Sequence, residues 1–341
     1  MDGLRVGVVG ATGAVGQELL GLLESRCFPV GDLRVFASER SAGKVVRALG
    51  RDLRLEAVGP GSFDGLDVAF FSAGTRVSQT YVPVALEAGA IVIDNSSAFR
   101  MKAGVPLIVP EVNAAELDRE GRLFPVGNCT AILLCVALGP LRDLGTMRRV
   151  IVSTYQSASG GGARMMHELR EQTRRELAGE AGLEESVLPH PYAFNLFSHN
   201  TEVGADGHNG EEAKVMAETR KILGLPELAM NVTCVRVPVL RAHSESVTVE
   251  FEPPGPSEEA VREALSKASG VRVVDDRAGN HFPMPSEASG VADVLVGRIR
   301  RDPSHASAIS LFLSGDQLLK GAALNAIQIA EALVARRALP V

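Results

Sequence analysis

Cysteine is scarce in this chain. Four residues, Cys27, Cys129, Cys135 and Cys234, occur among 341, and no CxxC pair is present. That pattern excludes a disulfide scaffold and a cysteine-based zinc site, and points to free thiols in a reducing compartment. The seven histidines offer no metal spacing either, because His167-Glu168 lacks the second histidine of HExxH, so no metal is expected. Positive charge is not in excess: 35 Lys and Arg face 41 Asp and Glu, for a formal net charge of -6. No basic domain invites nucleic acid, and an anionic substrate needs cations placed locally. No apolar run is long enough to span a membrane. Before Leu4-Arg5-Val6-Gly7-Val8-Val9 there is no basic start or cleavage site, and Met1-Asp2 lacks the glycine of a myristoylation site. A cytoplasmic location is the expectation. Low-complexity segments and internal repeats are also lacking.

What is present is an ordinary globular composition, 45% hydrophobic and 22% charged, in a chain long enough for two domains. Leu4 to Val9 is an apolar run without alternation, as in a buried parallel strand. A helical stretch follows from Ala14 to Arg26. Further strands are expected at Leu33 to Ala37, Asp67 to Phe71 and Ala90 to Ile93, with a helix from Val77 to Ala88. Alternating strands and helices predict a doubly wound parallel sheet. Beyond Cys129 the pattern changes. Apolar Ala131 to Leu144 reads as a helix, as do the stretch from Gly160 to Leu177 and Glu211 to Leu223. Strands are expected at Arg149 to Tyr155, Asn231 to Arg236, Ser246 to Phe251, Val271 to Val274, Val294 to Ile299 and Ala306 to Leu313. These predict a second, α+β domain with a mixed sheet. A last helix from Leu318 to Arg337 is expected to pack back on the first domain. The domains are therefore read as 1–128 with 319–341, and 129–318.

Gly10-Ala11-Thr12-Gly13-Ala14-Val15-Gly16 follows the first strand and opens the first helix. Glycines there allow a tight turn and close approach of a pyrophosphate to the helix N-terminus, so Gly10, Thr12, Gly13, Ala14 and Val15 are candidate dinucleotide contacts. After the second strand stands Ser38-Glu39-Arg40-Ser41. Glu39 suits the ribose hydroxyls of NAD; Arg40 with Ser38 and Ser41 suits the 2′-phosphate of NADP.

Cys129 follows an apolar strand, in Phe124-Pro125-Val126-Gly127-Asn128-Cys129-Thr130, and precedes an apolar helix. A helix N-terminus favours thiolate, which makes Cys129 the candidate nucleophile. Cys27, Cys135 and Cys234 read instead as small buried hydrophobes. Arg100 ends Asp94-Asn95-Ser96-Ser97-Ala98-Phe99-Arg100 after the fourth strand, where it can clamp an anion or pair with a carboxylate. Gln156 precedes a second glycine-rich turn, Ser157 to Gly162. Glu211 and Lys214 share a helix face, as site residues or as a plain i,i+3 ion pair. Arg236 and His243 flank Pro238, which makes a straight strand between them implausible and leaves their convergence open.

In order along the chain, GATGAVG, SERSAGK, DNSSAFR, GNCTA, TYQSASGGG, NGEEAKV, CVRVPVLRAHSES, VGRIRRD and DQLLKGAALNA resemble the aspartate-semialdehyde dehydrogenase family over nearly the whole length. The resemblance implies a Rossmann-type NADP domain and a catalytic, dimerising second domain in a homodimer. It implies Cys129 as nucleophile forming an acyl thioester, with Asn128 beside it, Gln156 orienting the acyl group and His243 as general acid/base. Arg100 and Lys214 are then phosphate ligands, Arg236 pairs with the substrate α-carboxylate, and Glu211 lies near its amino group. Arg40, Ser41, Ser159, Gly160 and Gln317 join the glycine motif as NADP contacts; family members often carry Asn at the position of Gln317. The implied reaction is reductive dephosphorylation of L-aspartyl 4-phosphate by NADPH, in biosynthesis of the aspartate-derived amino acids, with inorganic phosphate as co-product. The rival readings are N-acetyl-glutamyl-phosphate reductase, glyceraldehyde-3-phosphate dehydrogenase and a non-catalytic NADP-binding sensor.

Overall fold

Leu4–Val9 is buried at every position except Arg5, as a strand covered on both faces must be. It starts the first of two compact units in a computed structural model that describes residues 3–180, 186–336 and 339. Unit one is Met1–Asn128 with Ala322–Val341, and unit two is Cys129–Gly321.

The strands of unit one are β1 (Leu4–Val9), β2 (Val30–Ala37), β3 (Val45–Ala48), β4 (Arg51–Arg54), β5 (Glu56–Ala57), β6 (Val68–Phe71), β7 (Ile91–Asp94) and β8 (Leu123–Pro125). Six of them form one sheet in the order β5-β2-β1-β6-β7-β8, parallel throughout. This is the doubly wound sheet expected from the alternation. β3 and β4 form a separate antiparallel hairpin that the sequence does not announce, because its short strands are largely exposed and carry no apolar pattern. Phe36, Phe63 and Phe71 anchor the core on one side, with Phe63 stacked on Phe71 at 5.5 Å.

The last helix is shorter than the expected Leu318 to Arg337, and Arg337 lies outside the described residues. A π-turn at Leu319–Ala323 precedes an α-helix at Leu324–Ala335. The reason is local. The Asp316 carboxylate accepts from the Leu318 and Leu319 amides, and its carbonyl accepts from Gly321, so this turn is wound by its own contacts. The helix beyond is fastened within unit one by a two-pronged Arg26–Glu331 pair at 2.7 Å and by Asn325 donating to the Ile108 carbonyl at 2.9 Å.

Unit two holds β9 (Met147–Gln156), β10 (Phe197–Ser198), β11 (Ala229–Arg236), β12 (His243–Phe251), β13 (Val271–Val273), β14 (Val294–Arg301) and β15 (Ala308–Gly315). They form one mixed sheet in the order β10-β11-β9-β12-β15-β14-β13. β9 is its pivot, parallel to β11 and antiparallel to β12. Helix Cys129–Leu138, buried nearly all round, packs on helix Gly210–Leu223 and on β14 and β15. Gly315 permits that approach: a Cβ there would stand 2.6 Å from a Leu133 methyl. Helix Glu258–Lys267 was not expected, although Ser257 caps it and Glu258 and Glu259 favour its first turn. No helix among the described residues is long and apolar enough to cross a membrane, and no group of three His, Cys, Asp or Glu among them could hold a metal.

Candidate active site

Side chains alternate along a strand, so register decides which ones share a face. Arg236 ends β11 opposite Gln156, the last residue of β9. Ser244 pairs with Tyr155, which sets His243, the first residue of β12, beside Gln156. His243, Gln156 and Arg236 therefore stand in a row at one edge of the sheet. The chain between Arg236 and His243 does not run straight: it leaves one side of β9 and returns on the other, and this brings together two residues that a continuous strand would separate.

Each member of the row is buried and held from below. Gln156 Nε2 donates to Thr130 Oγ1 at 2.8 Å and to Glu211 Oε1 at 3.1 Å. Its Oε1 has no partner among the described residues. Glu211 Oε2 accepts from Lys214 at 2.9 Å, so the i,i+3 pair is real and is also wired to Gln156. Arg236 Nη1 donates to the Ser157 carbonyl at 3.0 Å, and its buried Nε finds no acceptor among the described residues. His243 Nδ1 accepts from the Ser157 amide at 3.0 Å. A neutral imidazole carries one N–H, so the proton sits on Nε2, which has no partner among the described residues. Burial, and next the Arg236 guanidinium, push His243 down to about 3. Gly160 closes over this pair, since a Cβ there would lie 3.0 Å from both His243 Nε2 and Arg236 Nη1.

Cys129 is the first residue of its helix and is half-buried, next to the Thr130 that binds Gln156. Gly321 lies against it: a Cβ at Gly321 would stand 2.9 Å from the Cys129 Cβ. Cys135 and Cys234 are buried, and burial pushes both thiols far up, away from reactivity. Cys27 is exposed rather than buried, because it forms the left-handed turn, φ 53°, that leaves the first helix.

One step deeper runs a second row, Glu245–Thr154–Cys234. Glu245 is fully buried, and neither carboxyl oxygen has a partner among the described residues. Burial alone raises it well above the usual carboxylate range, so it is held as the neutral acid. A group whose folded value is raised gives its full stability below the unfolded value and loses it as pH rises. Glu245→Gln should therefore raise the melting temperature at pH 8, with the gain shrinking towards pH 4.5. Unfolding scans across that range check the slope, and a gain that does not change with pH would contradict it.

In unit one, Gly10 has φ 87°, and a Cβ there would strike the Ser72 backbone at 2.8 Å. Gly13 caps the helix Ala14–Ser25 without a side-chain bond, and no acid occupies the first turn. Thr12 and Gly13 are exposed, with Ala14 and Val15 opening the helix. That terminus can receive an anion. Ser38 caps the turn Glu39–Ser41, and exposed Arg40 has no hydrogen-bond or ion-pair partner among the described residues. Asp94 is fully buried, accepts from Ser78 and Ser96, and shapes the loop on which Arg100 donates to the Asn95 carbonyl at 2.9 Å. Asn128 is buried at the end of this unit. In unit two, Gln317 bonds through Nε2 to Ser159 and accepts from the Ala242 amide at 3.0 Å, so its amide holds the segment that leads into His243.

Sequence reasoning missed Thr130, Ser157 and Gly321. Thr130 and Ser157 adjoin residues that it named. Gly321 had one signal, a glycine inside an Ala- and Leu-rich helical stretch, where it costs stability without a packing reason.

Known proteins are similar to this chain over nearly its whole length. The family described as "Semialdehyde dehydrogenase, NAD binding domain" matches residues 5–120, and "Semialdehyde dehydrogenase, dimerisation domain" matches residues 138–320. An aspartate-semialdehyde dehydrogenase of Synechocystis sp. is 50% identical over 98% of this chain and 98% of its own. The crystal structure of aspartate semialdehyde dehydrogenase II from Vibrio cholerae, complexed with ASA, superposes with a TM-score of 0.93 at 40% identity, covering 98% of this chain and 99% of that one. The enzyme from Candida albicans, solved with NADP, gives a TM-score of 0.76 at 25% identity, covering 98% and 99%. With an NAD-binding first domain, a dimerisation-type second domain and full-length identity of this order, the chain belongs to the aspartate-semialdehyde dehydrogenase family.

Proposed function

We propose that the protein catalyses the reversible, NADPH-dependent reductive dephosphorylation of L-aspartyl 4-phosphate to L-aspartate 4-semialdehyde, in biosynthesis of the aspartate-derived amino acids. The observation that carries this reading is the row His243–Gln156–Arg236, tied through Thr130 to the helix end that bears Cys129. A free carboxylate accepts hydride poorly, whereas an acyl phosphate has a good leaving group. The Cys129 thiolate attacks the acyl carbon, the carbon–oxygen bond to phosphate breaks, and a thioester remains. When bound, NADPH supplies the hydride that reduces this thioester. His243 presents Nε2–H to the acyl oxygen and, keeping that proton, stabilises the developing oxyanion as a hydrogen-bond donor. Collapse of the hemithioacetal returns the thiolate and frees the aldehyde. Gln156 orients the acyl group. Arg236 takes the α-carboxylate with its unpartnered Nε, Glu211 faces the α-amino group, and Arg100 and Lys214 take the phosphate; Asn128 supports the nucleophile.

The residues present suit NADP. The uncapped helix after Gly13, with Gly10, Thr12, Ala14 and Val15, would hold the pyrophosphate, and Ser38, Arg40 and Ser41 the 2′-phosphate. Ser159, Gly160 and Gln317 complete the contacts. The protein works as a cytoplasmic homodimer through its second unit.

The test is phosphate-dependent reduction of NADP and of NAD, with L-aspartate semialdehyde and N-acetyl-L-glutamate semialdehyde as substrates. The aspartate compound should be strongly preferred; greater activity with the acetylated compound would sink the assignment. In the same assay Arg40→Ala should weaken NADP by about 10–100-fold, the worth of a charge-assisted hydrogen bond, and NAD little. Equal losses would remove Arg40 from 2′-phosphate recognition.

A further inference from the structure

His199 belongs to no motif and lies outside the row, yet it touches it. It follows the short strand β10, is buried, and is anchored by its own amide to the Cys234 carbonyl at 2.9 Å. Its Nε2 lies 2.8 Å from Arg236 Nη2. A guanidinium only donates, so Nε2 must accept, and the ring proton must sit on Nδ1. Nδ1 lies 3.3 Å from Thr201 Oγ1. The Thr201 hydroxyl in turn donates to Asn209 Oδ1 at 3.3 Å and accepts from the Glu211 amide at 3.0 Å. One donor and two acceptors fill the capacity of a hydroxyl, so the direction of every bond in this chain is fixed. Asn209 Oδ1 also accepts from the Glu211 and Glu212 amides, capping helix Gly210–Leu223.

We propose that His199 is a positioning residue, a relay that locks the Arg236 guanidinium to the N-terminal turn carrying Glu211. The inference rests on the reading that Arg236 receives the α-carboxylate and Glu211 faces the α-amino group. On that reading, His199 fixes the spacing between the two groups that recognise the amino-acid end of the substrate. It touches neither phosphate nor acyl carbon. Its lone pair on Nε2 is essential, because a protonated ring would turn a second N–H towards a guanidinium. Arg236, Glu211 and Lys214 are the charges around it, and burial, then Arg236, hold it down at about 4. The relay is therefore intact at neutral pH.

The experiment compares steady-state constants of His199→Leu, His199→Gln and Thr201→Val with the parent homodimer. His199→Leu should raise KM for L-aspartate semialdehyde about tenfold or more, on the scale of one charge-assisted hydrogen bond. KM for inorganic phosphate and for NADP should stay within about twofold, and kcat should change little. Gln offers an acceptor and a donor in one side chain and should recover most of the loss. Thr201→Val breaks the relay at its middle without touching the ring, and should raise the same KM in the same selective way. It also carries the test if His199→Leu does not fold. An unchanged semialdehyde KM in both folded variants overturns the proposal. So does an equal rise in all three KM values, or a failure of Gln to recover any of the loss. Arg236→Leu, run alongside, separates the two readings. If it raises the semialdehyde KM and the relay variants do not, the relay is refuted. If Arg236→Leu itself leaves that KM unmoved, the assignment of the α-carboxylate to Arg236 falls instead.

Discussion

Cys129→Ala will lower turnover by roughly 10⁴-fold or more, the loss typical when a covalent nucleophile is removed from an otherwise intact site, while NADPH binding stays within a few-fold of the parent. The asymmetry follows from where the groups reside. The candidate pyrophosphate and 2′-phosphate contacts lie in the turn after β1, at the start of the helix Ala14–Ser25 and in the turn after β2, and none of them is Cys129. The two other thiols of unit two cannot substitute. Cys135 faces helix Gly210–Leu223, where its sulfur lies 4.0 Å from the Thr219 carbonyl, and Cys234 lies one row below the site. Stopped-flow or steady-state turnover together with NADPH fluorescence titration checks both halves. Undiminished turnover would end the covalent mechanism, and a parallel collapse of NADPH binding would mean that the substitution had disrupted more than the thiol.

Gly321→Ala should cost about 10²-fold in kcat, the penalty that a misplacement of about 1 Å imposes on a reacting group. The added methyl would stand 2.9 Å from the Cys129 Cβ, 3.2 Å from its Cα and 3.2 Å from the Gln317 Cβ. None of these is the free end of a flexible chain, so the backbone of one segment must give. If the turn at Leu319–Ala323 yields, Gln317 moves with it and loosens Ser159 and the segment before His243. If the helix yields, the nucleophile moves. Either way chemistry suffers more than KM, and stability should fall by about 1–3 kcal/mol from overpacking. A variant with parental kcat would show that Gly321 is tolerant and that the close approach has no catalytic weight.

Much of the scaffold is legible before any coordinates. The unbroken apolar run Leu4 to Val9 and the glycines at 10, 13 and 16 can hardly be anything but a buried strand and a tight strand-to-helix turn; a Cβ at Gly16 would fall 2.2 Å from the Gly10 carbonyl oxygen. The succession of strand-like stretches from Arg149 to Tyr155 onward, with few helices among them, reveals the sheet of unit two. Other features escape for physical reasons. The hairpin Val45–Arg54 lacks a buried face that would impose a period. The π-turn depends on Asp316 collecting amides that no pattern of hydrophobicity records. The meeting of Arg236 with His243 depends on β9 lying between their strands, a long-range pairing that neither local stretch encodes. His199 stands in an irregular segment with no periodicity to mark it.

The register of β9 has a further consequence for how this protein can vary. Its inner face reads Val150, Val152, Thr154, Gln156, and its other face Arg149, Ile151, Ser153, Tyr155. Deleting or inserting a single residue within this strand would exchange the two sets. A half-exposed phenol would arrive where an amide now orients the acyl group, while valines would be driven towards solvent. Point substitutions can tune such a site, but length changes cannot. Tolerated insertions and deletions in relatives of this chain should therefore be confined to the connections, and the spacing from Val150 to Gln156 should be invariant wherever the chemistry is kept.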